Sequence, residues 1–207
     1  MICDMNNIKN LIKEDGLQLC VTSYGGSCTN AFCDILNECG IVTNTSVWGS
    51  ILCHSPCYIE LGIPIIYLYD HPVKSFMSVK RRGKLMKMNY AKITNNLDSV
   101  YTPEKMMRSM INQFHSFTKE IRDDVLVLHS KELFQPDISS KISNFLIKNG
   151  INEKIYNDLN VKLPLIYKHP SHKDNELTIG LAYIFNRYKN EIQKIAQYPL
   201  SAKVYQV

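Results

Sequence analysis

His54, in the segment LCHSP, is the residue best suited to proton transfer, because an imidazole titrates near neutral pH and can take the proton of an attacking hydroxyl. Its bland reading is a histidine that ends a strand and bonds to backbone. The second chemical feature is the loop Ser23 to Asn30, SYGGSCTN, which supplies two glycines and the hydroxyls of Ser23, Ser27 and Thr29. Backbone N–H groups at Gly25, Gly26 and Cys28, facing the start of a helix, would favour an anion through unpaired donors and the helix dipole. The same residues also suit an ordinary strand-to-helix turn with a capping Thr29 or Asn30. Asp70 closes an apolar run, as a Mg²⁺-holding aspartate does after a strand, or it caps the following helix. The loop carries no GK[ST], so the lysine and hydroxyl of a P-loop nucleotidase are missing.

Cys53, His54 and Cys57, with Cys33 or Cys39, do not have the spacing of a familiar zinc knuckle, and cysteine is commonly buried as a small hydrophobe. All seven cysteines (Cys3, Cys20, Cys28, Cys33, Cys39, Cys53, Cys57) fall in the first 57 residues, behind a segment with no apolar signal core. They read as reduced thiols in a cytoplasmic protein. His169, His172 and Lys173, in KHPSHKDNE, precede the last helix; the run KRRGK reads as a solvated face.

These residues need a frame. Leu17, Leu19 and Val21 alternate with Gln18, Cys20 and Thr22, predicting a strand before the loop. Ala31, Phe32, Ile35, Leu36 and Cys39 then share a helical face that ends at Gly40. Ile51 to Cys53 predict a short buried strand ending at His54, and residues 63–69, IPIIYLY, a stronger one. A helix follows Val73, with Phe76 and Met77 inward. Residues 83–101 have no period and read as an excursion. Thr102 and Pro103 cap a helix striped by Met106, Met107, Met110, Ile111, Phe114 and Phe117. Residues 124–129, DVLVLH, form a strand, Ile138 to Asn149 a helix stopped by Gly150, and Leu177 to Ile195 one long helix. Residues 1–15 are a peripheral amphipathic lead-in. Strands separated by helices imply a three-layer α/β/α fold with a mostly parallel sheet.

The 207 residues suit a single domain over 1–207, and 45% hydrophobic content with 21% charged argues against extensive disorder. A net charge of +5 favours anionic ligands but is too small to imply nucleic acid, and no apolar run is long enough for a membrane span.

Three segments in order, SYGGSCTNAF, CHSP and IIYLYDHPVKSFMS, resemble the sulfotransferases that use 3′-phosphoadenosine 5′-phosphosulfate. In that family a loop of the type TYPKSGTTW cradles the 5′-phosphosulfate; Ser23 to Ala31 matches it in length. A segment of the type KTHLP carries the catalytic histidine, matched by His54 and Pro56. A strand ending in RNPKDVAVS supplies an arginine and a serine for the 3′-phosphate, with Pro72 and Ser78 aligned. DVLVLHSKELF and its helix extend the likeness to about residue 150, and Lys173 lies where the family often brings a further cation. The resemblance therefore implies a P-loop sulfotransferase-like fold. It assigns His54 as base and Ser23, Gly25, Gly26, Ser27, Cys28, Thr29, Asn30, Ser78 and Lys173 as cofactor-binding residues. The acceptor would be an unidentified hydroxyl or amine, and in-line displacement would need no metal.

The chain departs from the family where charge is expected: the loop lysine is Gly26, the lysine of the histidine segment is Leu52, and the arginine is Asp70, while Cys28 replaces a glycine. Each lost charged hydrogen bond is worth roughly 1.5–3 kcal/mol. Lys74, Lys80, Arg81, Arg82 or Lys173 are the residues that would compensate. Two alternatives follow, a sulfotransferase fold kept as an interaction module and a Mg²⁺-dependent nucleotide or phosphate-transferring enzyme built on Asp70.

Overall fold

The computed structural model describes residues 5–44, 52–55, 57–81, 102–151, 155–165 and 179–198. The strands are β1 (Cys20–Ser23), β2 (Ile65–Tyr69) and β3 (Val125–His129), all parallel, in the order β1-β2-β3. Cys20 pairs with Ile65, and Ile65 in turn with Val125. The helices are α1 (Met5–Glu14), α2 (Thr29–Glu38), α3 (Pro72–Arg81), α4 (Pro103–Thr118), α5 (Ile138–Lys148), α6 (Ile155–Lys162), α7 (Ile179–Arg187) and α8 (Lys189–Ala196).

The period of two along the strands sorts the core into two halves. Val21, Ile66, Leu68, Leu126 and Leu128 pack with Phe32 and Leu36 of α2, Ile142 and Phe145 of α5, and Leu159 of α6. Cys20, Ile65, Tyr67, Tyr69 and Val125 pack with Ile8 and Ile12 of α1, Phe76 of α3, Met107 and Phe114 of α4, and Ile192 and Ile195 of α8. Helices thus cover both faces. Every residue of β1 is buried, so Cys20 and Thr22, which the alternation placed on the polar side, lie in the interior as in a strand sandwiched between helices. On the α4 face Tyr67 stacks on Phe117 at 4.4 Å, and Tyr69 meets Phe114 edge-on at 5.2 Å.

From β1 the chain runs through α2 on one face and returns along the outer edge of β1, where Leu19 bridges Thr43 in parallel. It next enters β2 on the opposite side of β1 and reaches β3 by way of α3 and α4 on the other face. With right-handed crossovers, the winding direction reverses between β1 and β2. In open α/β sheets the crevice beyond the strand ends at such a reversal is where ligands bind.

The cap at Thr102, whose side chain accepts from Lys105 N–H at 3.1 Å ahead of Pro103, forms as the sequence predicts. Two expectations are corrected. Leu52 to His54 form a 3₁₀ turn, not a strand; Leu52 and Cys53 are buried beside β1 without extending the sheet. The closing helix breaks at Tyr188, which leaves helical geometry at φ −102° and ψ 19°. Two shorter helices then bury Leu181 and the pair Ile192 and Ile195 separately. Helix α6, which shows little amphipathic pattern, was not anticipated. Residues 82–101 and Leu177 lie outside the described residues. Among the described residues no helix is long and apolar enough to cross a membrane.

Candidate functional site

The β1–α2 loop is bent by three residues with positive φ: Gly25 at 118°, Gly26 at 74° and Cys28 at 61°. Its hydroxyls hold it internally. Gly25 N–H donates to Ser23 Oγ at 3.1 Å, and Ser23 Oγ shares a 2.7 Å hydrogen bond with Thr29 Oγ1. No side chain caps α2, because the N-cap residue is Cys28 in the left-handed conformation. The first turn of α2 carries no acidic residue, so the dipole favours an anion there.

The loop lies against α3. A Cβ placed on Gly26 would come within 2.9 Å of Ser78 Cβ, and one on Gly25 within 3.0 Å of Val79 Cγ2 and 3.7 Å of His54 Cε1. His54 and Ser78 therefore meet the loop at neighbouring glycines. The same contact explains the missing lysine: a side chain at residue 26 has no room, and φ there disfavours any L-residue.

His54 is placed by the outer edge of β1. Along that edge Leu19 N–H donates to Val42 O at 3.3 Å. At the next rung the side-chain amide of the fully buried Asn44 takes the place of a strand backbone, accepting from Val21 N–H at 2.7 Å and donating to Val21 O at 3.0 Å. The rung after that is His54 Nδ1, 2.8 Å from Ser23 O. A carbonyl only accepts, so Nδ1 carries the proton and Nε2 is the basic nitrogen of the neutral ring. The 52–55 turn is fixed further by Ser55 N–H donating to Thr22 Oγ1 at 3.3 Å and by buried Gln113 donating to Ser55 O at 2.6 Å. Asn44 Nδ2 also donates to Cys53 Sγ at 3.2 Å. Asn44 and Gln113 were not legible as site residues, because nothing local to their segments marks them.

Between the loop and the end of β2 lies a crevice bordered by Tyr24, Ser27, Tyr69, Asp70, Ser75 and Phe114. Its cavity volume is ≈ 10 Å³, room for about one water. Ser27 Oγ and Tyr69 Oη are both buried without a hydrogen-bond partner among the described residues. Tyr24 Oη, by contrast, donates to Met106 O at 2.8 Å. Among the described residues of the lining, Asp70 is the one that is charged. It does not cap α3 directly: its carboxylate accepts from His71 N–H at 2.6 Å and from Ser130 Oγ–H at 2.6 Å, tying the end of β2 to the end of β3. Ser130 and His129, the latter with Nε2 3.8 Å from Asp70 Oδ1, complete this cluster.

Burial holds the imidazoles of His71 and His129 below their usual pKa; Asp70 opposes this, and Lys74 and Lys131 reinforce it. Both lysines are exposed. Burial pushes the thiols the other way, Cys33 up to about 12 and Cys53 to about 11. Cys28 is raised by burial and by the Asp70 charge, so it is not a thiolate nucleophile despite its place at a helix start. Among the described residues no group of three or more His, Cys, Asp or Glu is arranged to hold a metal.

Of the residues singled out from the sequence, Ser23, Gly25, Gly26, Ser27, Cys28 and Thr29 form the loop, and His54 and Ser78 pack on it. Asn30 is exposed on α2. Lys173, Pro56 and Arg82 lie outside the described residues. Compared with family models, with curated proteins and with solved structures, the chain has no match.

Proposed function

We propose that this chain is a sulfuryl transferase of the 3′-phosphoadenosine 5′-phosphosulfate-dependent kind, acting on a hydroxyl or amine. The observation that carries this reading is the convergence of two separated segments on one loop: Gly25 against His54, and Gly26 against Ser78. The loop residues suit the 5′-phosphosulfate, since the positive-φ bend and the uncapped start of α2 both favour an oxyanion. Bound there, the nucleotide supplies the sulfuryl group. Ser78, with Lys74, Lys80 and Arg81 on the same helix and Lys173 elsewhere, would hold the 3′-phosphate. His54 Nε2 takes the acceptor's proton, while the Ser23 carbonyl keeps the ring in the tautomer that leaves this nitrogen basic. The test is calorimetry with 3′-phosphoadenosine 5′-phosphate. Saturable heat that weakens in Ser78→Ala is expected; no heat and no thermal shift at millimolar ligand rejects the reading.

A second reading rests on the small volume of the crevice and on Asp70 as the only charge among its described lining residues. It holds that the fold is kept as a binding module whose cofactor site has closed. Robust sulfuryl transfer abolished by His54→Ala would exclude it.

A further inference from the structure

We propose that the crevice between the β1–α2 loop and the end of β2 is a binding site for a primary ammonium head group, received by Ser27 Oγ, Tyr69 Oη and the Asp70 carboxylate. This goes beyond the sulfuryl-transfer reading and does not depend on it. Buried hydroxyls without partners are uncommon, since each forfeits the hydrogen bonds it made in water. Here two of them, on residues 1% and 5% exposed, border the same crevice. That crevice lies at the winding reversal between β1 and β2, where open sheets take their ligands.

The chemistry of the lining selects the ligand. Two hydroxyl oxygens and a carboxylate offer three acceptors, and an ammonium offers three donors. Each Asp70 oxygen already accepts one hydrogen bond, which leaves it a second lone pair. Among the described lining residues none is basic, so an anion would face Asp70 with nothing there to offset it. Lys74 and Lys131 are exposed, and their influence falls on His71 and His129. Acidity reaches the hydroxyl itself: after burial, the charges of Glu132 and Asp70 are among the causes that raise the Tyr69 phenol. Size agrees with a head group. About 10 Å³ of the crevice is open to a water-sized atom, and its unoccupied space, open solvent included, is ≈ 250 Å³, lined in part by Tyr24, Met110 and Phe114. Aromatic faces suit the carbon next to an ammonium.

The experiment is an NMR titration of the whole chain at constant ionic strength with methylammonium chloride, in parallel with tetramethylammonium chloride and sodium phosphate. Saturable shifts at Tyr69 with methylammonium alone are expected. Tyr69→Phe and Asp70→Asn should each weaken that binding about tenfold or more, the loss of one hydrogen bond to a charged group. Because Asp70 also holds Ser130, Tyr69→Phe is the deciding variant: it should keep its melting temperature while losing affinity. An equal response to tetramethylammonium, phosphate acting on the same resonances, or no saturable shift overturns the proposal. So does a lower melting temperature in Tyr69→Phe with methylammonium affinity unchanged, which would identify a structural water. Failure to bind 3′-phosphoadenosine 5′-phosphate would reject sulfuryl transfer and leave this site standing.

Discussion

Ser78 occupies the space that a side chain on Gly26 would need: a Cβ there would stand 2.9 Å from Ser78 Cβ and 3.0 Å from its Oγ. With φ at 74°, Gly26 is fixed both by its own backbone and by its neighbour on α3. Gly26→Ala should therefore lower stability by about 1–3 kcal/mol, read as a shift of the urea midpoint at constant slope. Ser78→Gly in the same chain should recover only the steric part. Gly26→Lys should destabilise in the same way and fail to create phosphate affinity; a lysine variant as stable as the parent would contradict the packing.

Asn44 holds β1 through two hydrogen bonds to Val21 and is itself fully buried. Asn44→Ala leaves a buried N–H and a buried C=O unpaired, at a cost of about 2–4 kcal/mol. Asn44→Asp keeps the acceptor but loses the donor and buries a charge, so it should do no better. Urea unfolding of both variants checks this, and a change below the error of the measurement in Asn44→Ala would refute the role.

Stability should fall on the acid side of neutrality. Burial lowers the pKa of His71 and His129 in the folded chain, so the unfolded chain binds protons first as the pH drops. Their contribution is present above about pH 6.5, the unfolded value, and is lost as the pH falls through the folded values. The urea midpoint should decline between pH 7.5 and 5.5, and His129→Gln should flatten that decline. An unchanged slope in the variant would assign the acid sensitivity elsewhere.

Cysteine alkylation should be ordered by burial. Cys57 is exposed, whereas Cys20, Cys33 and Cys53 are buried and burial raises their pKa values. Iodoacetamide near neutral pH should modify Cys57 well before those three, which should react only as the chain unfolds. Mass spectrometry of a time course reads the order directly, and early labelling of Cys53 would show that the turn carrying His54 opens.

Local pattern made much of the frame legible. The apolar runs around Ile65–Tyr69 and Val125–His129 are strands because they are buried on both faces, and the stripe from Met106 to Phe117 is a helix for the reason its spacing gives. Leu52 and Cys53 misled because an apolar pair adjacent to turn residues serves a strand or a 3₁₀ turn equally well, and packing beside β1 decides. The break at Tyr188 is a tertiary choice laid over an unbroken helical period. In the site, glycines and hydroxyls announced the loop, but Asn44, Gln113 and Tyr69 act through partners far away in the chain, or through a missing partner. No spacing rule reads such relations.

The outer margin of β1 is finished by a bridge at Thr43, then an amide from Asn44, then an imidazole from His54. Side chains cannot themselves be extended by a further strand, so this margin offers no template for a neighbouring molecule, and the hazard of an open strand edge is removed there. The histidine proposed as base is thus also part of the closure that guards against aggregation.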